Sequence, residues 1–367
     1  MGSIFLIGLQ SPQGLSEEIN GHDQRRSCPA NLLGEGMSVS VAIVGAGMAG
    51  VSAAQMLTSK GIAVEVFDKS RGSGGRMASK RIGDSEMLPV DIGTQSFKAC
   101  SDGFKKALQL WQQQGWAKPW NPVTYRHRQG ALLRYHKAEQ GWLGYPRMSA
   151  LTRKLLGDTR LRSSIQITAL LPQAGRWRLQ DRTGAHYGPY SHLIITAPAP
   201  QASRLLAPVP ELADAASQRP MLPTWVVVLT LASPLAVAFD RLLSSSAALD
   251  SAVRHSAKPG REGAQEVWVL QASASWSLNH TETPAEQIIE QLSAAFAGML
   301  GSPLPAVVVS LAHRWLFAQA DNASPALLAN RAATLFAGGD WCACGGVEGA
   351  WLSGRRMAER LLAGLGE

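Results

Sequence analysis

The apolar positions of this chain fall in short blocks separated by glycine-rich turns. Val41-Ala42-Ile43-Val44 is a four-residue apolar run, the length of a buried parallel strand. Gly45, Gly47 and Gly50 follow it, and a helical pattern over residues 48–60 stops at Gly61. Residues 62–67 read as a second strand ending on Asp68, eighteen positions past Gly50. Strand, glycine turn, helix, strand and acid together predict a Rossmann unit. The first glycine permits the tight turn, the second lets backbone approach a pyrophosphate, and the third lets helix pack on strand. The helix N-terminus would aim its amides at the phosphates, and Asp68 would take a ribose hydroxyl.

Further along, the pattern predicts a helix over 103–114 and short strands over 123–128 and 131–135. A helix capped by Ser149 runs to about 156, with strands over 165–171 and 176–180. His192-Leu193-Ile194-Ile195 is a buried strand closed by Pro198 and Pro200. Long strands follow at 224–231, 267–273 and 306–312. A helix over 284–299 has Thr281 or Thr283 as its cap, with Glu282 and Glu286 in its first turn. The chain closes on Leu335-Phe336-Ala337, then a helix from 347 whose apolar or small positions 347, 350, 351, 354, 358, 361 and 362 share one face. The fold class expected is α/β, a Rossmann-type domain with a discontinuous α+β substrate domain built on an antiparallel sheet. The expected boundaries are 37–97, 145–200 and 334–367 for the first, and 98–144 and 201–333 for the second. Residues 1–36 are polar beyond Leu9 and without period, and are expected to be a disordered extension, with Met37 fitting a true start.

Composition adds little to this picture. Of 367 residues 46% are hydrophobic and 17% charged, as in an ordinary α/β enzyme, and the chain is long enough for two domains. Net charge is +8; the first 36 residues hold two arginines and four acids, so the remainder carries +10. That suits an anionic dinucleotide, but the arginines are scattered, and no nucleic-acid motif accompanies them. Four cysteines in so long a chain make no disulfide framework, and Cys342-Ala343-Cys344 lacks the partner pair of a metal site, so no metal is expected. Free thiols and the lack of a membrane-length apolar segment point to a cytoplasmic protein that binds no membrane. Oligomeric state is not legible.

The chemistry enters with Arg71-Gly72-Ser73-Gly74-Gly75-Arg76, a glycine pair between two arginines able to grip phosphate in bidentate fashion. A nicotinamide-only dehydrogenase has no need of it. With these residues the chain resembles the glycine-doublet flavoproteins: amine oxidases, protoporphyrinogen oxidases, phytoene desaturases and renalase-like enzymes. The resemblance implies FAD. It implies cofactor contacts at Gly45, Gly47, Met48, Ala49, Gly50, Asp68, Lys69, Arg71, Gly75, Arg76, Met77, Ile92 and Gly93, with Ile167 at the adenine. A second fingerprint, Gly338-Gly339-Asp340-Trp341 leading to a helix, implies Gly339 and Asp340 on the ribityl or phosphate side. Val347, Glu348, Gly349 and Ala350 would then face the flavin pyrimidine, where the helix N-terminus favours negative charge.

Three stretches resemble the renalase-like group in particular: Asp91-Ile92-Gly93-Thr94-Gln95-Ser96-Phe97, His313-Arg314-Trp315, and Glu348-Gly349-Ala350-Trp351. They imply Arg314 and Gln95 as catalytic residues, and Thr94, Phe97 and His313 toward substrate; the stretch from Trp268 to Ser277 resembles the same group and adds Gln271. Gln271 stands where histidine is frequent in that group. The implied reaction oxidises isomeric dihydronicotinamide dinucleotides to the ordinary nicotinamide form and passes the electrons to oxygen, giving hydrogen peroxide. A dihydropyridine releases hydride without first losing a proton, which suits a sequence lacking a catalytic triad or paired carboxylates. Two alternatives stay open, a flavin amine oxidase and a flavin-binding protein with little turnover. Many amine oxidases use a late lysine and an aromatic pair; here no lysine follows Lys258.

Overall fold

The computed structural model describes residues 39–83, 89–136, 140–246, 248–321 and 324–366. The extension expected over 1–36 lies outside the described residues.

A six-stranded sheet carries the glycine motifs. Its order is Leu328–Ala329, Leu335–Ala337, His192–Ile195, Ser40–Val44, Ala63–Phe67 and Arg160–Arg162, parallel except for the first pair. Ile43 lies between Ile194 and Val66 in register. Val41 and Ile43 belong to one apolar cluster and Ala42 and Val44 to the other, so both faces of the central strand are covered. That is why its sequence is a continuous apolar run rather than an alternation.

The helix Met48–Ser59 packs against the last helix, Gly346–Leu365. Gly354 makes this possible, because a Cβ there would stand 2.0 Å from Ala49 O. Ser52 Oγ donates to Trp351 O at 3.0 Å across the same contact. The other face is covered by an antiparallel meander, Ile167–Gln173, Arg176–Asp181 and His186–Tyr190. Its third strand is absent from the sequence expectation, because Gly188-Pro189 interrupts the apolar pattern.

The second large sheet has seven strands, in the order Val307–Ala320, Met221–Leu231, Glu266–Ala272, Leu249–Arg254, Arg241–Ser244, Thr124–Arg128 and Ala131–Arg134. It is antiparallel except where Arg241–Ser244 pairs parallel with Thr124–Arg128. One face packs on the helix Ala285–Leu300 through Trp225, Val227, Leu229, Trp268 and Leu270 against Ile288, Leu292 and Phe296. The other packs through Val226, Val228, Val267 and Val269, with Trp315 of the same sheet partly buried beside them, against Val90 and Ile92.

Two expected caps are corrected. Arg147, not Ser149, is the N-cap of Met148–Leu156, and the Ser149 hydroxyl donates to Ser79 Oγ at 3.3 Å. Pro284 caps Ala285–Leu300 without a side-chain bond, so neither Thr281 nor Thr283 does. Among the described residues no helix is long and apolar enough to cross a membrane, and no three His, Cys, Asp or Glu side chains gather as metal ligands.

Candidate active site

The glycine turn after Ser40–Val44 and the glycine doublet lie back to back. Gly75 has φ +53°, and a Cβ on it would approach Gly47 Cα to 3.2 Å. Gly74 N donates to Ala46 O at 2.9 Å, tying the two turns together. The first helix begins at this junction with Gly47 as N-cap and no side-chain cap, so its leading amides are available to an anion. Asp68 accepts from Ala46 N and Ser70 N at 2.7 Å each, which fixes its carboxylate at the end of the second strand. Lys69 and Arg71 follow it on the exposed surface. This is a cradle that any side chain would fill, with an acid and an uncapped helix end beside it. Its donor set fits the pyrophosphate and ribose of a dinucleotide.

The second fingerprint closes on the first. Arg76 donates from both terminal nitrogens to Asp340, at 2.8 and 2.5 Å, and from Nη1 to Ala318 O at 2.9 Å. Asp340 is 3% exposed, and it joins the C-terminal fingerprint to the glycine doublet 264 positions away. The last helix starts at Gly346, with Gly345 as N-cap and no side-chain cap.

A cavity of about 430 Å³ lies between the loop at Gly93–Ser96 and the seven-stranded sheet. Gly93 has to be glycine, since a Cβ would sit 2.0 Å from Arg76 O. Thr94 and Gln95 line the cavity from this loop, Gln271 and Ser251 from the sheet, and Trp315 and Gln319 from the edge strand. Gln271 Nε2 donates to Gly93 O at 3.1 Å and its Oε1 accepts from Ser251 at 3.2 Å, so it bridges sheet and loop. Trp315 Nε1 donates to Ile92 O at 2.8 Å, holding the indole against the same loop.

Behind the loop lies a charged cluster shut off from solvent. Lys258 is 0% exposed and Asp91 0%; Lys258 Nζ donates to Gln95 Oε1 at 2.8 Å and lies 3.7 Å from Asp91 Oδ2. Arg261 reaches the same oxygen at 2.9 Å, while Ser79 Oγ and Met148 N donate to Asp91 Oδ1. Burial works to raise the Asp91 pKa, but Lys258 and Arg261 outweigh it and hold the carboxyl at about 2. Burial lowers Lys258 to about 7 against the pull of Asp91. Burial, with Lys258 adding to it, lowers His255 to about 3.

The structure rearranges several expected roles. Gln95 lines the cavity, but its Nε2 donates to Asp91 O and Gly93 O, so both ends of the amide are committed to holding the loop. Arg314 does not line the cavity. It pairs in register with Trp225, on the face that packs on Ala285–Leu300, whereas Trp315 opposes Thr224 on the cavity side. Arg314 Nη1 meets Glu282 at 3.1 Å at the surface. His313 stands on the cavity-side face, edge-on to Trp315 at 4.6 Å, but does not line the cavity. Phe97 is core, 5% exposed and edge-on to Phe104 at 6.1 Å. Glu348 directs its carboxylate to Cys100 N and Ser101 N, 2.7 Å each, and so caps the neighbouring segment; only its backbone remains for a cofactor.

Met48, Ala49, Gly50 and Met77 are buried around the glycine turns, and Ile92 beside Gly93. Ile167 is 6% exposed in the cluster that contains Phe67 and Leu179. Val347, Gly349 and Ala350 form the buried first turn of the last helix beside Gly339 and Asp340. Sequence reasoning missed Asp91, Lys258, Arg261 and Arg241 as site residues. Asp91 opens a recognised motif and could have been found; the other three sit in stretches with no local signature.

A model of the flavin containing amine oxidoreductase family matches residues 101–362, and an NAD(P)-binding Rossmann-like domain model matches residues 43–113. Among solved structures, a putative protoporphyrinogen oxidase from Exiguobacterium sp. 255-15 superposes with TM-score 0.69 at 12% identity, over 90% of this chain and 100% of that one. A putrescine oxidase in its wild-type form bound to putrescine superposes with TM-score 0.64 at 15% identity, over 89% of this chain and 99% of that one.

Proposed function

From the premise that this chain belongs to the flavin containing amine oxidoreductase family, and is an FAD-dependent oxidoreductase acting on a small molecule, we propose that it is an oxidase of the renalase type. Its substrates would be isomeric dihydronicotinamide dinucleotides, its products NAD(P)+ and hydrogen peroxide. FAD supplies the hydride acceptor and the route of two electrons to oxygen. The glycine turns, Asp68, Asp340 and the two helix N-termini would hold it.

The observation that carries this reading is the lining of the cavity. Among the described residues, Trp315 is its one aromatic side chain, and no lysine faces it. Lys258, the last lysine of the chain, is instead turned onto Asp91 and Gln95. An amine oxidase that frames its amine between two aromatic rings and places a water with lysine lacks both parts here. Thr94, Ser96, Gln271 and Gln319 offer hydrogen bonds of the kind a carboxamide and a ribose need. The role of these residues is to orient a dihydropyridine and exclude water, with no base needed for hydride release.

Amine oxidation is the second reading, favoured by Asp250, a carboxylate of the cavity that would attract a cationic amine. Hydrogen peroxide production in air separates the two. Isomeric dihydronicotinamide dinucleotides should support turnover, and primary, secondary and diamines should not. The reverse result would establish the second reading.

A further inference from the structure

Among the described residues two arginines line the cavity, and they differ in one respect. Arg76 is bidentate to Asp340. Arg241 has no such partner: among the described residues no carboxylate lies within 4 Å of its guanidinium. Asp250, at a register shift between Leu249 and Ser251, lines the same cavity from an exposed position without pairing to it.

Arg241 is nevertheless held in place. Its Nε donates at 3.2 Å to Thr124 Oγ1, a hydroxyl that is itself 2% exposed and bonded to Pro122 O. That fixes the plane of the guanidinium and leaves its two terminal NH2 groups for a ligand. The residue is only partly exposed, and burial lowers its pKa, so the cation is partly stripped of water without a protein anion in return. Such a group gains most from a ligand that brings the missing charge.

Register places Arg241 along the cavity. Gln271, which touches Gly93 O, opposes Ser251, and Ser251 opposes Leu243, two residues from Arg241 on the same face. Two strand spacings, about 10 Å, separate the Gln271 strand from the Arg241 strand. A nicotinamide ring beside the Gly93 loop would project its ribose and then its phosphate toward Arg241.

We propose that Arg241 is the anion-recognising residue of this cavity, that it binds a phosphate of the substrate, and that it sets a preference for phosphorylated over unphosphorylated dihydronicotinamide compounds. The assignment rests on the renalase-type reading for its substrate, but not for its anion site.

The test uses FAD-loaded wild-type protein, Arg241→Gln and Arg241→Lys. Flavin reduction is measured with an isomeric dihydronicotinamide dinucleotide, the mononucleotide and the riboside. Arg241→Gln should lower kcat/KM for the dinucleotide at least tenfold more than for the riboside, chiefly through KM, and Arg241→Lys should recover part of the loss. Equal loss on both compounds would overturn the proposal. The mononucleotide separates the sources: loss on it equal to that on the dinucleotide assigns the phosphate next to the nicotinamide ribose, and a smaller loss assigns a more distant one. Calorimetric binding of inorganic pyrophosphate supplies an independent readout, expected to weaken at least tenfold in Arg241→Gln. If no dihydronicotinamide compound reduces the flavin but pyrophosphate binding depends on Arg241, the substrate reading fails and the anion site stands. If pyrophosphate binding is the same in wild type and Arg241→Gln, the anion site fails.

Discussion

Lys258 Nζ donates to Gln95 Oε1 at 2.8 Å across 163 positions of sequence, with both side chains buried. Because Gln95 Nε2 is spent on Asp91 O and Gly93 O, this one bond determines how the amide sits, and the amide in turn holds the loop that lines the cavity. Lys258→Met should leave Gln95 Oε1 without its donor and cost about 1–3 kcal/mol of stability. Chemical denaturation reads the loss. Flavin reduction should slow in the same variant while FAD content is kept, since the lysine lies behind the loop rather than in the cradle.

The buried cluster makes the fold acid-labile. With its folded pKa at about 3 against an ordinary 6.5, His255 contributes fully above pH 6.5. As pH falls from 6.5 toward 3, the unfolded chain takes up a proton that the native state refuses, and stability drops by up to about 1.4 kcal/mol per pH unit. Asp91 acts in the same direction, losing its contribution as pH falls from 3.8 toward 2. Lys258 extends the trend upward, stability rising between about 7 and 10.5. Urea unfolding at pH 4.5 and 6.5 should show a difference in wild type larger than in His255→Gln by on the order of 2 kcal/mol. Equal pH dependence in the two proteins would refute this role for His255.

Arg314 and Gln271 should part company kinetically. Arg314 faces the helix side of the sheet and pairs with a surface glutamate, so Arg314→Gln should change kcat/KM less than threefold. Gln271→Ala severs the bridge from sheet to loop and should lower it about tenfold or more. Steady-state peroxide formation by the two variants decides between this geometry and the motif-based expectation.

Asp340 is the link between the two cofactor fingerprints. Asp340→Ala strips Arg76 of its bidentate partner and should weaken FAD retention at least tenfold, read by flavin fluorescence after dilution. Arg76→Lys should recover little in the reciprocal experiment, because an ammonium cannot form the fork.

How far these features were legible depended on whether their signals were local. The Rossmann turn, the glycine doublet and the Gly-Asp fingerprint are spacing patterns, and the backbone follows them. The side that Arg314 takes is not legible because Met221–Leu231 is buried on both faces: Trp225 packs one way and Val226 the other, so the period-two alternation that assigns sides is absent. The choice among His313, Arg314 and Trp315 then rests on register, which only pairing with Thr224 and Trp225 supplies. Lys258 and Arg241 stand in stretches with no motif, and their roles arise from contacts with Gln95 and Thr124 more than a hundred positions earlier.

The most direct test of renalase-type turnover mixes the FAD-loaded protein with an isomeric dihydronicotinamide dinucleotide in the absence of oxygen and follows the visible flavin band. Rapid bleaching is expected, with the colour returning when air is admitted and one peroxide formed per dinucleotide. A flavin that stays oxidised with the dinucleotide and bleaches with an amine would contradict it.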